Sequence, residues 1–152
     1  MGSVAERLRE LGITLPPRRS YGKYAGAARA GNLVFVSGAG PIGADGAVIG
    51  KVGGDVDIGV AQEAAWLCVI NCLSALQGEI GDLEKISRIV KLLGFVNSAP
   101  GFNQQHVVMD GASSLLLDLF GERGRHARSS VGVAELPMNI AVEVEMIVEA
   151  AP

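Results

Sequence analysis

Residues 139–149 read NIAVEVEMIVE. In this run Ile140, Val142, Val144, Met146 and Val148 occupy every second position, and Ala141, Glu143, Glu145, Ile147 and Glu149 stand between them. A period of two is the strand period, because successive side chains of an extended chain point to opposite faces. One face is unbroken hydrocarbon and must lie on a core; the other mixes carboxylates with Ile147. The two faces meet different environments, and the second is left for a partner.

Working outward, Arg128 to Leu136 forms the preceding strand, separated by Pro137-Met138. A simple hairpin about that dipeptide sets Glu135 opposite Ile140 and Glu143 opposite Gly132, on the same face as Arg128. Arg128 then lies roughly 13 Å of backbone from that point, a gap that two side chains and one small molecule could fill. Phe102 to Phe120 reads as a helix with Phe102, Met109, Leu116 and Phe120 on one stripe and Gly121 at the C-cap position. His106 lies on that row, which predicts a packed, hydrogen-bonded histidine. Ile86 to Val96 is β-branched and apolar, a strand ending in turn residues Asn97 to Gly101. Asp57 to Ile80 carries the clearest helical period, with Gln62, Trp66, Val69, Leu73, Leu76 and Ile80 at alternating spacings of four and three. Leu33 to Ser37 is a compact strand. The turn dipeptide Gly31-Asn32 pairs it with Tyr24 to Arg29, and Asp45-Gly46 marks a further turn before a short strand at Ala47 to Ile49. Ser3 with Glu6 forms a capping box for a short helix that ends before Gly12 and Pro16-Pro17. The order predicts an α+β fold, a mixed sheet with two helices on one face. No linker or repeat divides it, so residues 1–20 read as an extension with a short helix and residues 21–152 as one domain.

The chain has 152 residues, 49% hydrophobic and 19% charged, with a net charge of -3. Mean hydropathy is +0.34 and the pI about 5.4. That composition excludes bulk disorder, and the acidic balance removes the global positive field that nucleic acid needs. Apolar runs are short or interrupted by Glu143 and Glu145, and the N-terminus scatters charges at Glu6, Arg7, Arg9 and Glu10. We therefore expect neither a membrane span nor a signal peptide, and a cytoplasmic location. Cys68 and Cys72, four apart on a helix, suit buried free thiols better than a disulfide or a zinc site. So much apolar surface in a small chain points to oligomerisation.

Several constellations could carry chemistry. Gly38 to Gly43 matches G-x-G-x-x-G after a strand, but Gly43, Asp45-Gly46 and Gly50 predict a hairpin where a dinucleotide site needs a helix N-terminus. Arg123, Arg125 and Arg128 cluster with His126. Arg128, entering the strand beside Ser129 and Ser130, is the candidate anion clamp, and the first two read as a solvated loop. Glu143 and Glu145 stand on an apolar strand, where a carboxylate is costly without a partner or a task; salt-bridged edge positions are the alternative. No serine-nucleophile elbow and no Cys-His pair at readable spacing is present.

Tyr21 to Pro41, with Tyr24 and Gly31-Asn32-Leu33-Val34-Phe35-Val36-Ser37-Gly38, is followed by Ala127-Arg128-Ser129-Ser130-Val131, Glu135-Leu136-Pro137 and Val142-Glu143-Val144-Glu145. Together these resemble the RidA/YjgF reactive-intermediate deaminase family, in a divergent branch, from about Tyr24 to the C-terminus. The resemblance implies a chorismate-mutase-like fold assembled as a homotrimer with pockets between subunits. It also implies cofactor-free and metal-free hydrolysis of 2-imino acids or enamines to 2-keto acids and ammonia. By resemblance Arg128 holds the substrate carboxylate and Glu143 positions the attacking water, while Tyr24, Ser37, Gly38, His106 and Ser130 belong to the pocket. His106 and Ser130 stand where the deaminases usually carry Asn and Cys, and Ala39-Gly40 replaces a Gln-led segment. The implied partner is a small carboxylate, an imino or keto acid. A non-catalytic carboxylate sensor using the same pocket is the main alternative, and an endoribonuclease-type activity the third.

Overall fold

A computed structural model describes residues 2–17, 19 and 22–152. Tyr21, at the head of the segment that carries the resemblance, lies outside the described residues. The elements in chain order are α1 (Val4–Glu10), β1 (Ala27–Ala30), β2 (Leu33–Ala39), β3 (Ile42–Gly43), β4 (Gly46–Ala47), α2 (Ile58–Ile80), β5 (Ile86–Asn97), α3 (Gln105–Phe120), β6 (Ala127–Val133) and β7 (Val142–Ala150), with short 3-10 turns before β5, after α3 and before β7.

Local chemistry sets the boundaries. The Ser3 hydroxyl accepts from the Glu6 amide while the Glu6 carboxylate accepts from the Ser3 amide, so the expected capping box starts α1. Asp57 caps α2 by accepting from Val60 N–H at 2.9 Å. Gly31 takes a φ of 60° in the β1–β2 turn, and Ala27 pairs with Val36 as the hairpin requires. Gly38 to Gly43 runs into the small β3–β4 hairpin, as its glycines predict, and no helix follows it directly.

The five-stranded sheet has the order β1-β2-β7-β5-β6, antiparallel except for the parallel pair β5 and β6. The α+β expectation of a mixed sheet holds, with α2 and α3 on one face and the short α1 as a third helix. Val142, Val144, Met146 and Val148 of β7 are buried together with Leu92 and Val96 of β5 and with Cys68, Cys72, Leu73, Met109 and Leu116 of the helices. The period of two at residues 139–149 is thus the core face it promised. The thiols of Cys68 and Cys72 are free and buried, and donate to the carbonyls of Val142 and Val144 at 3.4 and 3.3 Å. At 23 residues, α2 has the length and hydropathy of a membrane-crossing helix, but 61% of its most apolar window is buried against the rest of the chain. Where α2 and α3 cross, a Cβ on Gly111 would stand 2.3 Å from the Gln62 carbonyl oxygen, so only glycine permits this approach. α1 rests on α3: Val4 is buried and Arg7 donates to the Asp118 carbonyl at 3.0 Å.

One pairing differs from the sequence-based expectation. β6 and β7 are not a hairpin; β5 lies between them, and α3 carries the chain across from β5 to its parallel neighbour β6. The physical reason lies in the strands themselves. β7 has the chain's cleanest apolar face and pairs on both sides, whereas β6, with Arg128, Ser129, Ser130 and Gly132, tolerates an edge. The turn at Pro137–Asn139, where Met138 and Asn139 take φ near 57° and 56°, returns the chain to the middle of the sheet.

Candidate functional site

The strand pairing puts the two principal candidates on opposite faces. Arg128 is level with Leu92, whose other neighbour is the buried Met146, so its side chain lies on the helix side. Glu143 is level with Phe95, one position out of phase with the buried Val142 and Val144, and lies on the open side. The expectation that Arg128 and Glu143 share a face is therefore corrected: within one chain they do not converge. The assumed hairpin register produced the error, because inserting β5 with a parallel neighbour resets the phase of β6.

At the β6 edge, the Arg128 guanidinium is gripped by α3. Nη1 donates to Asp110 Oδ1 at 2.9 Å and to Ser113 Oγ at 3.0 Å, and Nη2 donates to the His106 carbonyl at 3.1 Å. A guanidinium has five donors, so among the described residues Nε–H and one Nη2–H have no acceptor, enough for a two-point contact with a carboxylate. His126 stands behind this group, with Nε2 at 2.9 Å from Ser113 Oγ and Nδ1 at 2.6 Å from the Gly124 carbonyl oxygen. Its own burial, followed by the charge of Arg128, holds His126 below the ordinary histidine pKa, and the Gly124 contact only partly opposes this. Ser130, two residues along the same face, has a buried hydroxyl with no hydrogen-bond partner among the described residues. His106 contributes its carbonyl, while its ring is exposed. The packed-histidine expectation fails because the first turn of α3 overlies the edge strand, beyond which no further strand covers it.

The second group gathers around β2 and β7. Glu143 is half-buried, and burial, then repulsion from Glu145, raises its pKa above the usual carboxylate range. Neither glutamate forms an ion pair among the described residues, and β7 is a central strand, so the salt-bridged edge alternative is also overturned. A Cβ on Gly38 would fall 2.0 Å from Glu143 Oε1: the missing side chain is what makes room for the carboxylate. Ser37 donates through Oγ to the Ala25 carbonyl at 2.6 Å, tying β2 to the segment that carries Tyr24. Tyr24 is 62% exposed and, with Gly38, Gly40, Asn71 and Met138, lines a cleft at this end of the sheet. Of the seven residues singled out in the sequence, the fold thus assembles Tyr24, Ser37, Gly38 and Glu143 in one place and His106, Arg128 and Ser130 in another.

Sequence reasoning missed Asp110, Ser113 and the role of His126. The signal was present, since 106, 110 and 113 follow helical spacing on α3 and His126 precedes Arg128 by two. Arg123 is also no solvated loop residue: it donates to the Ile86 carbonyl at 2.8 Å and pairs with Glu84 at 3.5 Å.

The open sheet face between these groups exposes Leu33, Phe35 and Val131 at 38%, 44% and 41%. Fold and site together define a small α+β protein with one covered sheet face, one apolar open face, an arginine on the edge strand β6 and a carboxylate on the central strand β7, with β5 between the two. The chain belongs to the family described as Endoribonuclease L-PSP, the YjgF/RidA family, which it matches over residues 16–150. It is 43% identical to Protein TCP17 of Trypanosoma cruzi, covering 97% of this chain and 94% of that one. Among solved structures, Atu1372 of Agrobacterium tumefaciens, whose function is unknown, is 47% identical with a TM-score of 0.91, covering 97% of this chain and 93% of that chain. TdcF of E. coli, solved with bound serine, is 22% identical with a TM-score of 0.61 over 91% of this chain and 96% of that chain, a likeness of fold.

Proposed function

We propose that the protein is a cofactor-free hydrolase of 2-imino acids or their enamine tautomers, working as a chorismate-mutase-like homotrimer whose pockets close between copies. The observation that carries this reading is the Arg128 guanidinium, fixed by three acceptors yet keeping Nε–H and one Nη2–H for an incoming carboxylate. Arg128 and Glu143 lie on opposite faces of one sheet, so a pocket using both takes them from different copies. The open face with Leu33, Phe35 and Val131 supplies the apolar surface for that contact.

The chemistry asks little of the protein. The arginine grips the substrate carboxylate and sets the imine carbon beside a water. Glu143 takes one proton from that water as its oxygen bonds to carbon and passes it to nitrogen, giving the carbinolamine; it then takes the remaining hydroxyl proton as the C=O bond forms and delivers it to nitrogen as the C–N bond breaks. The products are a 2-keto acid and ammonia. Burial raises the pKa of the Glu143 carboxyl, which makes it a stronger base for the first transfer than an exposed glutamate. The imine carbon is already electrophilic, so no covalent nucleophile is required. That TdcF was solved with serine supports a carboxylate-bearing small molecule as the ligand of this fold.

The family's name also keeps an endoribonuclease-type role in view, but the net charge of -3 and the pairing of Arg128 with Asp110 leave little positive field for a polyanion. The test generates 2-iminopropionate with an amino-acid oxidase and traps what remains with semicarbazide. The proposal expects the protein to lower trapping and light scattering to give a trimer. Unchanged trapping with measurable pyruvate binding would make the protein a carboxylate sensor, and a monodisperse monomer would remove the shared pocket.

A further inference from the structure

We infer that Ser113 and His126 are positioning residues that aim the Arg128 fork at its carboxylate ligand, an inference that rests on the carboxylate-binding reading above. Arginine has a long, freely rotating side chain, and a clamp acts as one only if its plane is held. Two of the three grips on Arg128 do not by themselves fix that plane. The Asp110 carboxylate is 59% exposed, so its ion pair is weakened by water. The His106 carbonyl holds a single Nη2 proton. The third grip, Ser113 Oγ, is half-buried, and its direction is dictated from behind.

The chain of constraints starts at a backbone oxygen. The Gly124 carbonyl can only accept, so the His126 nitrogen 2.6 Å away, Nδ1, carries the proton. In a neutral ring Nε2 then holds the lone pair, and the Ser113 hydroxyl 2.9 Å away must donate to it. With its proton so committed, Ser113 Oγ turns its lone pairs toward Arg128 Nη1 at 3.0 Å. The relay runs from Gly124 through His126 and Ser113 to Arg128, and each member fixes the next.

The relay is intact only while His126 is neutral. The groups facing it are Ser113 and, beyond the guanidinium, Asp110 from α3, Arg128 from β6, which begins at the next residue, and the Gly124 carbonyl from the preceding turn. Burial and the Arg128 charge favour the neutral ring. Protonation makes Nε2 a donor to one of the two Ser113 lone pairs and releases the hydroxyl proton, so that Ser113 no longer presents a fixed acceptor to Arg128 Nη1. Carboxylate affinity therefore holds at neutral pH and falls as pH drops through a value below the ordinary histidine pKa of about 6.5.

Calorimetric titration with pyruvate between pH 5 and 8, together with long-range proton–nitrogen NMR of the His126 ring, tests this. Wild type should show the Nδ1–H tautomer. Ser113→Ala should weaken pyruvate binding about tenfold at pH 7.5, the scale of a hydrogen bond to a charged group, and abolish the inflection below pH 6.5. Ser113→Thr, which keeps the hydroxyl, should restore both. Ser113→Ala binding like wild type, failure of Ser113→Thr to rescue, or an Nε2–H tautomer overturns the inference while leaving the carboxylate reading standing. Wild-type protein that ignores pyruvate, with Arg128→Ala no different, sinks the reading and this inference together.

Discussion

Replacing Gly38 with alanine adds one methyl group and deletes no functional atom, yet it should disable the site. The new Cβ would stand 2.0 Å from Glu143 Oε1, 2.9 Å from its Cδ and 3.2 Å from its Cγ. The carboxylate must retreat by about 1.5 Å to reach ordinary van der Waals contact. The intruded group is the far end of a flexible side chain, and Gly38 has no left-handed φ that alanine would resist. The fold should therefore absorb the change for less than about 1.5 kcal/mol, the scale of one off-rotamer side chain. Chemistry is less forgiving: displacing a proton-transfer group by about 1 Å can cost about 10²-fold in rate, or about 2.7 kcal/mol of barrier. Imine trapping by semicarbazide gives the turnover and a melting curve gives the stability. The expected result is a hundredfold slower enzyme with nearly unchanged Tm. Wild-type turnover in Gly38→Ala, beside an inactive Glu143→Gln, would refute the claim that Gly38 holds the carboxylate in place. A large fall in Tm would refute the claim that the Glu143 side chain, and not the strand, takes up the clash.

Arg128→Ala should lose carboxylate binding with the fold intact, and Arg128→Lys should recover little because a point charge lacks the fork; calorimetry with pyruvate measures both, and wild-type affinity in Arg128→Ala moves the anion site elsewhere, while wild-type affinity in Arg128→Lys refutes the need for the fork. Gly111→Ala and Gly59→Ala should change stability with opposite signs. Both sit in helices, where alanine gains up to about 1 kcal/mol, but at Gly111 the Cβ meets the Gln62 backbone at 2.3 Å, whereas at exposed Gly59 the nearest atom is Asp57 Oδ1 at 3.4 Å. Overpacking costs about 1–3 kcal/mol, so Gly111→Ala should lower Tm by several degrees while Gly59→Ala raises it slightly. Glu143→Gln should raise Tm at neutral pH, with a gain that shrinks as pH is lowered toward 4. The sign follows from the raised folded-state pKa: the carboxyl's contribution to stability is complete below its unfolded value and lost as pH rises through the folded one. A gain independent of pH would assign the effect to something other than ionisation.

Nearly every element could be read from the residues, because each has a local cause. Capping by Ser3 and Asp57, the Gly31-Asn32 turn, the helical spacing of Trp66, Leu73 and Ile80, and the alternation through Val142 to Val148 are set by groups a few residues apart. The order of residues also separated a covered face of β7 from an open one, and the motif around Arg128 pointed to the family. The neighbours of each strand were not legible. Strand pairing is made by backbone hydrogen bonds that are alike for every residue, so the segment after Pro137 reads equally well as a hairpin partner of β6 or as a central strand joined to β2 and β5. The tertiary structure chose the second, because only there does the apolar face of β7 lie wholly between its neighbours and the helices. That choice moved Arg128 to the helix side, placed Asp110, Ser113 and His126 around it, and left His106 exposed above the sheet's edge. Residue types supplied the clamp and the carboxylate; the order of the strands decided that one chain holds them apart.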